Sequence, residues 1–342
     1  MRRKVMFLPA LLLVVGLVSC KERKREDLLP PTTGKPGEVV LVMEDELYKG
    51  TAGDSLFRIL AQQELALPQS GMEGAEPMFD VVQIPKAAFT SIFRSHRNII
   101  MVDVGTSESK SRIKVDRDYW SKSQVIIRLA APDRQSLVLL IGENRDFIIR
   151  TLREAEISRQ MRLNRQFENL ELANTMIRKH QIRASFPKGF EPRVDTGNFI
   201  WVQYNPQDMI QGVLIWHRPY TDESQLNYEI LIREIDEALK SRVPGTPPGS
   251  YMAVEFDAPL YSQVMEVNGN YVREIKGLWE MMGDWMGGPF LALTFVDEER
   301  SRLVTAFGFV YAPKFNKRNH IRKVESVLRT IDFVDQSSQS KS

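Results

Sequence analysis

One cysteine in 342 residues, Cys20, limits how this chain can hold itself together. A lone thiol forms no internal disulfide, and a zinc–thiolate site needs several sulfurs, so the body must fold on its own apolar core. At 43% hydrophobic residues, a chain of this length can bury a sizeable core. The cysteine closes a segment unlike the rest. Arg2, Arg3 and Lys4 give a positive start, an apolar run extends from Val5 to Val18, and Ser19 precedes Cys20. The run is about 14 residues, whereas a helix crossing a bilayer core needs about 20. A charged start, a short apolar core and a small residue at the end describe a secretory signal.

Leu17-Val18-Ser19-Cys20 resembles the lipobox of bacterial lipoproteins. That resemblance implies cleavage after Ser19 and a covalent lipid on Cys20, with no other cofactor. Each buried methylene of an acyl chain contributes about 0.8 kcal/mol, and stable anchoring takes more than one chain. The triacylation implied by the resemblance meets that need. Lys21 follows the cysteine and no acidic cluster does, which by lipoprotein sorting rules implies the periplasmic face of the outer membrane. Removing the signal takes Lys+Arg from 46 to 43 against 44 Asp+Glu, so the formal charge moves from +2 to −1. A near-neutral body has no general electrostatic reason to bind nucleic acid.

The remaining chain sorts by composition and periodicity. Residues 20–37 are charged and then rich in Pro, Thr and Gly, the pattern of a flexible tether. Residues 38–180 alternate strand and helix signals: strands at 37–45, 79–84, 98–104 and 123–131, and helices at 51–67 and around 87–95. A helical stretch runs from Asp133 to His180. As one helix it would extend roughly 70 Å, so a break is expected near Asn144 or Asn164. Its interspersed Arg and Glu residues read as a solvated, ion-paired face. Residues 181–335 read as strands, among them 251–256, 261–267 and 271–276, with one middle helix (224–242) and one terminal helix (317–331) and hairpin turns at Asn268-Gly269 and 297–301. Residues 336–342 form a polar tail. The expectation is an α+β protein of two α/β-type halves, the second an antiparallel sheet covered by helices. In element order that second half looks like the PsbP-type sandwich.

The segment Gly277–Phe290, GLWEMMGDWMGGPF, is the most unusual in the body. Read as a helix begun at Leu278 and ended by Pro289, it places Trp279, Met282 and Met286 on one face. That face either packs on the sheet or lines a cleft in which Trp279 or Trp285, with Met286, Gly287 and Gly288, meets a sugar ring or a partner peptide. Glu280 and Asp284, four apart, would share a helical face and form a weak acid/base pair. The four histidines, His96, His180, His217 and His320, show no metal-ligand spacing. His217, in an apolar strand, reads as a structural imidazole and the others as surface groups. No nucleophile elbow, P-loop or dinucleotide fingerprint occurs.

"GEVVLVMED", "LPQSGMEGAEPMFD", "RNIIMVDV", "VPGTPPGSYM", "GLWEMMGDWMGGPF" and "GFVYAP" together resemble a family of uncharacterised Gram-negative bacterial lipoproteins, a domain of unknown function, over most of the mature chain. The resemblance implies an exported, lipid-anchored α+β protein and carries over no catalytic residue. The expected function is therefore a non-catalytic binding or assembly module of the cell envelope, attached to the membrane through its N-terminal lipid and engaging an envelope protein or glycan. The alternative is a carboxylate-dependent hydrolase of envelope glycans or polymers.

Overall fold

The computed structural model describes residues 29–68, 75–105 and 110–334. Cys20, residues 21–28 of the tether and the tail 336–342 lie outside the described residues.

The first half contains β1 (Glu38–Val42), α1 (Asp45–Tyr48), α2 (Thr51–Leu60), β2 (Asp80–Ile84), α3 (Ser91–Arg94), β3 (Asn98–Val104), β4 (Arg112–Arg117) and β5 (Val125–Ala131). These strands form one five-stranded sheet in the order β2-β1-β3-β5-β4. All pairings are parallel except that of the edge strand β4 with β5. The near-continuous apolar runs of β1, β3 and β5 follow from burial on both sheet faces. Strand β4 was not legible in the sequence, because its alternating charged residues lie half exposed at an edge.

The long helical stretch is broken, as its length requires, into α4 (Arg134–Glu143), α5 (Arg145–Gln166) and α6 (Leu170–Thr175). Asn144 makes the first break, its side chain donating to the carbonyl of Leu140 at 2.8 Å. The second falls at 167–169, where Asn169 caps α6 by accepting from the Leu172 amide. Asn164 instead stays helical and buried, donating to Ser326 Oγ at 2.9 Å.

The second half contains β6 (Ile182–Arg183), β7 (Glu191–Thr196), β8 (Phe199–Tyr204), β9 (Ile210–Pro219), α7 (Tyr228–Arg242), β10 (Tyr251–Val254), β11 (Tyr261–Val267), β12 (Asn270–Met282), β13 (Gly287–Asp297), β14 (Arg302–Tyr311), α8 (Arg318–Leu328) and β15 (Asp332–Phe333). An eight-stranded antiparallel sheet runs β10-β12-β13-β14-β9-β8-β7, with β11 beside β12. Asn268 and Gly269 both have positive φ, the primed turn expected of an Asn-Gly hairpin. Helix α7 buries Leu231, Ile235 and Leu239 against one sheet face, with Ile275, Trp279 and Phe307. Helix α8 buries Val324, Val327 and Leu328 against the other, with Val272, Leu293 and Val304. The fold is thus α+β. The halves meet where α8 packs on α5.

Residues 30–37 correct the expectation of a free tether up to Gly37. Pro31 bridges to Lys122 and Thr33 to His96, and the Thr33 amide donates to the Ser95 carbonyl at 2.9 Å. The chain is already laid on the first half before β1 begins.

Candidate functional site

The segment Gly277–Phe290 is a β-hairpin, not a helix. Met282 ends β12, Gly287 begins β13, and Gly283, at φ 83°, turns the chain between them. A strand alternates its side chains across the sheet, so the proposed helical face of Trp279, Met282 and Met286 does not exist. Trp279 is buried at 1% exposure, edge-on to Phe309 at 5.3 Å, with its indole N–H donating to the Val310 carbonyl at 3.3 Å. It is a core residue. Trp285, at the hairpin tip, is fully exposed at 101%. Gly288 is where the sheet passes closest to this tryptophan: a Cβ there would lie 2.1 Å from the Val310 carbonyl oxygen and 3.3 Å from the Trp279 ring nitrogen. Gly287 pairs with Glu280 across the hairpin, and Met286 is partly buried against the same core. These glycines serve close strand packing around Trp279.

The weak acid/base pair loses its shared helical face too. Asp284 sits in the turn and accepts from the backbone amide of Trp285 at 2.7 Å. Glu280 lies on β12, where partial burial and then the neighbouring carboxylates of Glu255, Asp257 and Asp236 raise its pKa.

Three of the histidines correct the expectation of surface groups. His96 is buried, its Nε2 at 2.6 Å from Glu38. His180 is buried with Nε2 at 3.0 Å from Asp195, a carboxylate that Lys179 also pairs. Burial lowers the His180 pKa more than Asp195 raises it. His320 is half-buried, with Gln211 Nε2 at 3.2 Å from its Nδ1. Among the described residues, no three His, Cys, Asp or Glu side chains are grouped to hold a metal ion.

The charged face of α5 is divided: Arg162 and Arg165 are exposed, as its pattern suggests, whereas Glu156 and Arg159 are buried as a pair and Arg153 turns into the junction with α8. Arg153 reaches Glu325 of α8 at 2.6 Å and approaches Glu64 at 3.8 Å. Arg329 spans Glu325 at 2.7 Å and Glu154 at 2.8 Å. Arg322 pairs with Glu64 and lies over the Phe79 ring at 5.0 Å. On β12, Lys276 and Glu274 pair at 3.2 Å, and Gln263 donates to Glu274. Four cations and four carboxylates therefore balance across the junction of the halves. Burial alone would raise the carboxyl of Glu325; Arg153, Lys276 and Arg329 outweigh it and hold the group far below the usual range. Glu64 is lowered in the same way, burial being outweighed by Arg322, Arg153 and Lys276. Glu76 adds a further tie, since its carboxylate accepts the amides of Lys317 and Arg318 at 2.6 and 2.9 Å at the start of α8.

Above this charged floor is a cleft of about 850 Å³ between α5 and β11, edged by Ile149, Arg150, Tyr261 and Val264. Strand β11 pairs with β12 over seven consecutive residues and, among the described residues, with no strand on its other side. Unpaired strand edges invite another chain, and proteins blunt them with proline, bulges or charge. The opposite edge of the sheet, β7, has all three: Pro192, a register shift between Pro192 and Val194, and the charges of Glu191, Arg193 and Asp195. Strand β11, YSQVMEV, has no proline, no bulge and one charge, Glu266. Tyr261 and Val264 are exposed at 37% and 52%. Sequence reasoning found this strand but not its open edge, because strand order across a sheet is not written in local pattern.

Residues 169–330 match a family model described as Domain of unknown function (DUF4837), and residues 32–165 match a second, Domain of unknown function (DUF8532). Together they cover most of the chain. No curated protein matches it in sequence. Among solved structures, the Saccharomyces cerevisiae Ran-binding protein Mog1p is similar at 12% identity and a TM-score of 0.32, covering 46% of this chain and 92% of its own. A mutant of protein Mog1 gives 12% identity and 0.31, over 46% and 93%. So distant a likeness carries no functional implication.

Proposed function

We propose that this protein is a lipid-anchored, non-catalytic binding module of the cell envelope, held through Cys20 at the periplasmic face of the outer membrane, and that it takes an extended segment of a partner protein along β11. The observation that carries the reading is the contrast of edges: β7 is closed by proline and a bulge, whereas β11 is straight, nearly uncharged and opens on a cleft. Strand addition uses main-chain hydrogen bonds for affinity and alternate side chains for specificity. The lipobox-like end at Cys20 supports the anchor. No helix among the described residues is long and apolar enough to cross a membrane, and an anchored module needs none.

The test is photo-crosslinking in the native envelope, with a photoreactive residue at Val264 or at Val194. The expected result is a discrete protein adduct from position 264 and none from 194, lost when Val264→Pro is introduced beside a reactive group at Tyr261. Clickable fatty-acid labelling of wild type and Cys20→Ser reports the anchor in the same cells. Absence of an adduct at 264, or equal adducts at both edges, defeats the strand-addition reading; an unlabelled wild-type protein defeats the anchor.

A further inference from the structure

Residues 30–37 fix the place where the body leaves its anchor. The Pro30 carbonyl accepts from the Lys122 amide at 2.8 Å, so nine residues, 21–29, separate Cys20 from the fold. That length reaches at most about 35 Å when extended, whereas a folded body of roughly 300 residues is about 50 Å across. A tether shorter than the body is wide brings the side around its exit closest to the bilayer.

Three segments meet at that exit: residues 30–37, the end of α3 and the turn 117–124 between β4 and β5. The Thr33 amide bonds to the Ser95 carbonyl, and Gln124 Nε2 donates to the Arg94 carbonyl at 2.6 Å. The face they present is cationic. Lys35, Arg94 and Arg117 are exposed, and none has a carboxylate within ion-pair distance among the described residues. The carboxylates on this side are already engaged: Glu38 by His96, Asp116 by Lys114 and Arg128, and Asp118 by the Ser123 amide. Apolar groups stand among the cations. Ile92, at 77%, is the most exposed large apolar side chain of the described residues after Trp285. Tyr119 is 46% exposed and edge-on to Trp120, over whose ring Arg94 lies at 5.8 Å. Cations attract anionic headgroups, and aliphatic and aromatic side chains settle at the level just beneath them. We propose that this face seats on an anionic phospholipid surface, with Lys35, Arg94 and Arg117 at the phosphates and Ile92 and Tyr119 in the interface, so that the body stands on the bilayer in one orientation. The inference rests on the anchored reading above and adds to it a second, non-covalent contact with the membrane.

Cosedimentation with vesicles tests the face apart from the anchor. The protein used is residues 20–342 with Cys20→Ser, which keeps every described residue and cannot be acylated. It is expected to bind vesicles of equal phosphatidylglycerol and phosphatidylcholine and not vesicles of phosphatidylcholine alone. Arg94→Gln with Arg117→Gln should weaken that binding about 30-fold, as for two cations near an anionic surface, and Ile92→Ser should weaken it further. Arg233→Gln with Lys240→Gln removes two exposed cations of α7 instead and should leave binding unchanged. No binding to the anionic vesicles, equal binding to both compositions, or an equal loss from the two double variants overturns the proposal. The comparison of the two vesicles decides even if a variant melts early. Fatty-acid labelling of Cys20 decides the anchor separately, so either reading can fail alone.

Discussion

Neighbouring residues of one strand meet opposite fates. On β12, Glu274 and Lys276 share the face of Val272 and are buried in the junction of the halves, where four cations meet four carboxylates. Arg273, between them, shares the opposite face with Ile275 and has no hydrogen-bond or ion-pair partner among the described residues. A buried charge is tolerated when paired, and removing one partner leaves the other costly. Charge on one face of β12 is therefore committed to joining the halves, whereas Arg273 on the other joins nothing among the described residues.

Removing a carboxylate from the junction should have the largest effect. Glu325→Ala removes the closest partner of Arg153 and one of the two partners of Arg329, and urea unfolding is expected to lose roughly 3–5 kcal/mol; a loss under about 1 kcal/mol would mean the junction is wet and weak. Trp279→Ala, on the opposite face, should cost about 3–5 kcal/mol through a cavity, whereas Trp285→Ala at the tip should stay within about 0.5 kcal/mol. Similar losses for the two tryptophans would contradict the hairpin.

The junction also predicts a pH dependence. The folded-state values of Glu325 and Glu64 are depressed, so their contribution is present above the unfolded carboxyl value of about 4.3 and is lost as pH falls below it. Stability of the wild type should drop steeply below that point, and Glu325→Gln, already deprived of the charge, should show a shallower fall in an acid titration of unfolding. A parallel fall in both proteins would assign acid sensitivity elsewhere. Glu76→Ala, which uncaps α8, should cost on the order of 1 kcal/mol. The smallest effect belongs to Arg273→Gln, expected within about 0.5 kcal/mol because nothing in the fold depends on it.

Much of this architecture was legible. Strand β11 spans Tyr261–Val267 as expected ahead of the Asn268-Gly269 turn, which forms as its residues require. The hairpin at Trp279–Trp285 was hidden because its glycines are spaced for close contact with a neighbouring strand, a requirement visible only once Val310 stands behind Gly288. The ionic junction was hidden for a different reason. Glu64, Arg153, Glu274 and Glu325 come from four distant parts of the chain, and alternating Arg and Glu on α5 look the same whether they face water or each other. The open edge of β11 and the unpaired Arg273 are likewise properties of what stands beside them, not of local sequence.

Thermal unfolding of wild type, Glu325→Gln and Arg273→Gln tests the division of labour across β12 most directly. The expected result is that Glu325→Gln melts well below wild type, whereas Arg273→Gln melts with wild type. Arg273→Gln melting as far below wild type as Glu325→Gln, or Glu325→Gln melting with wild type, would contradict it.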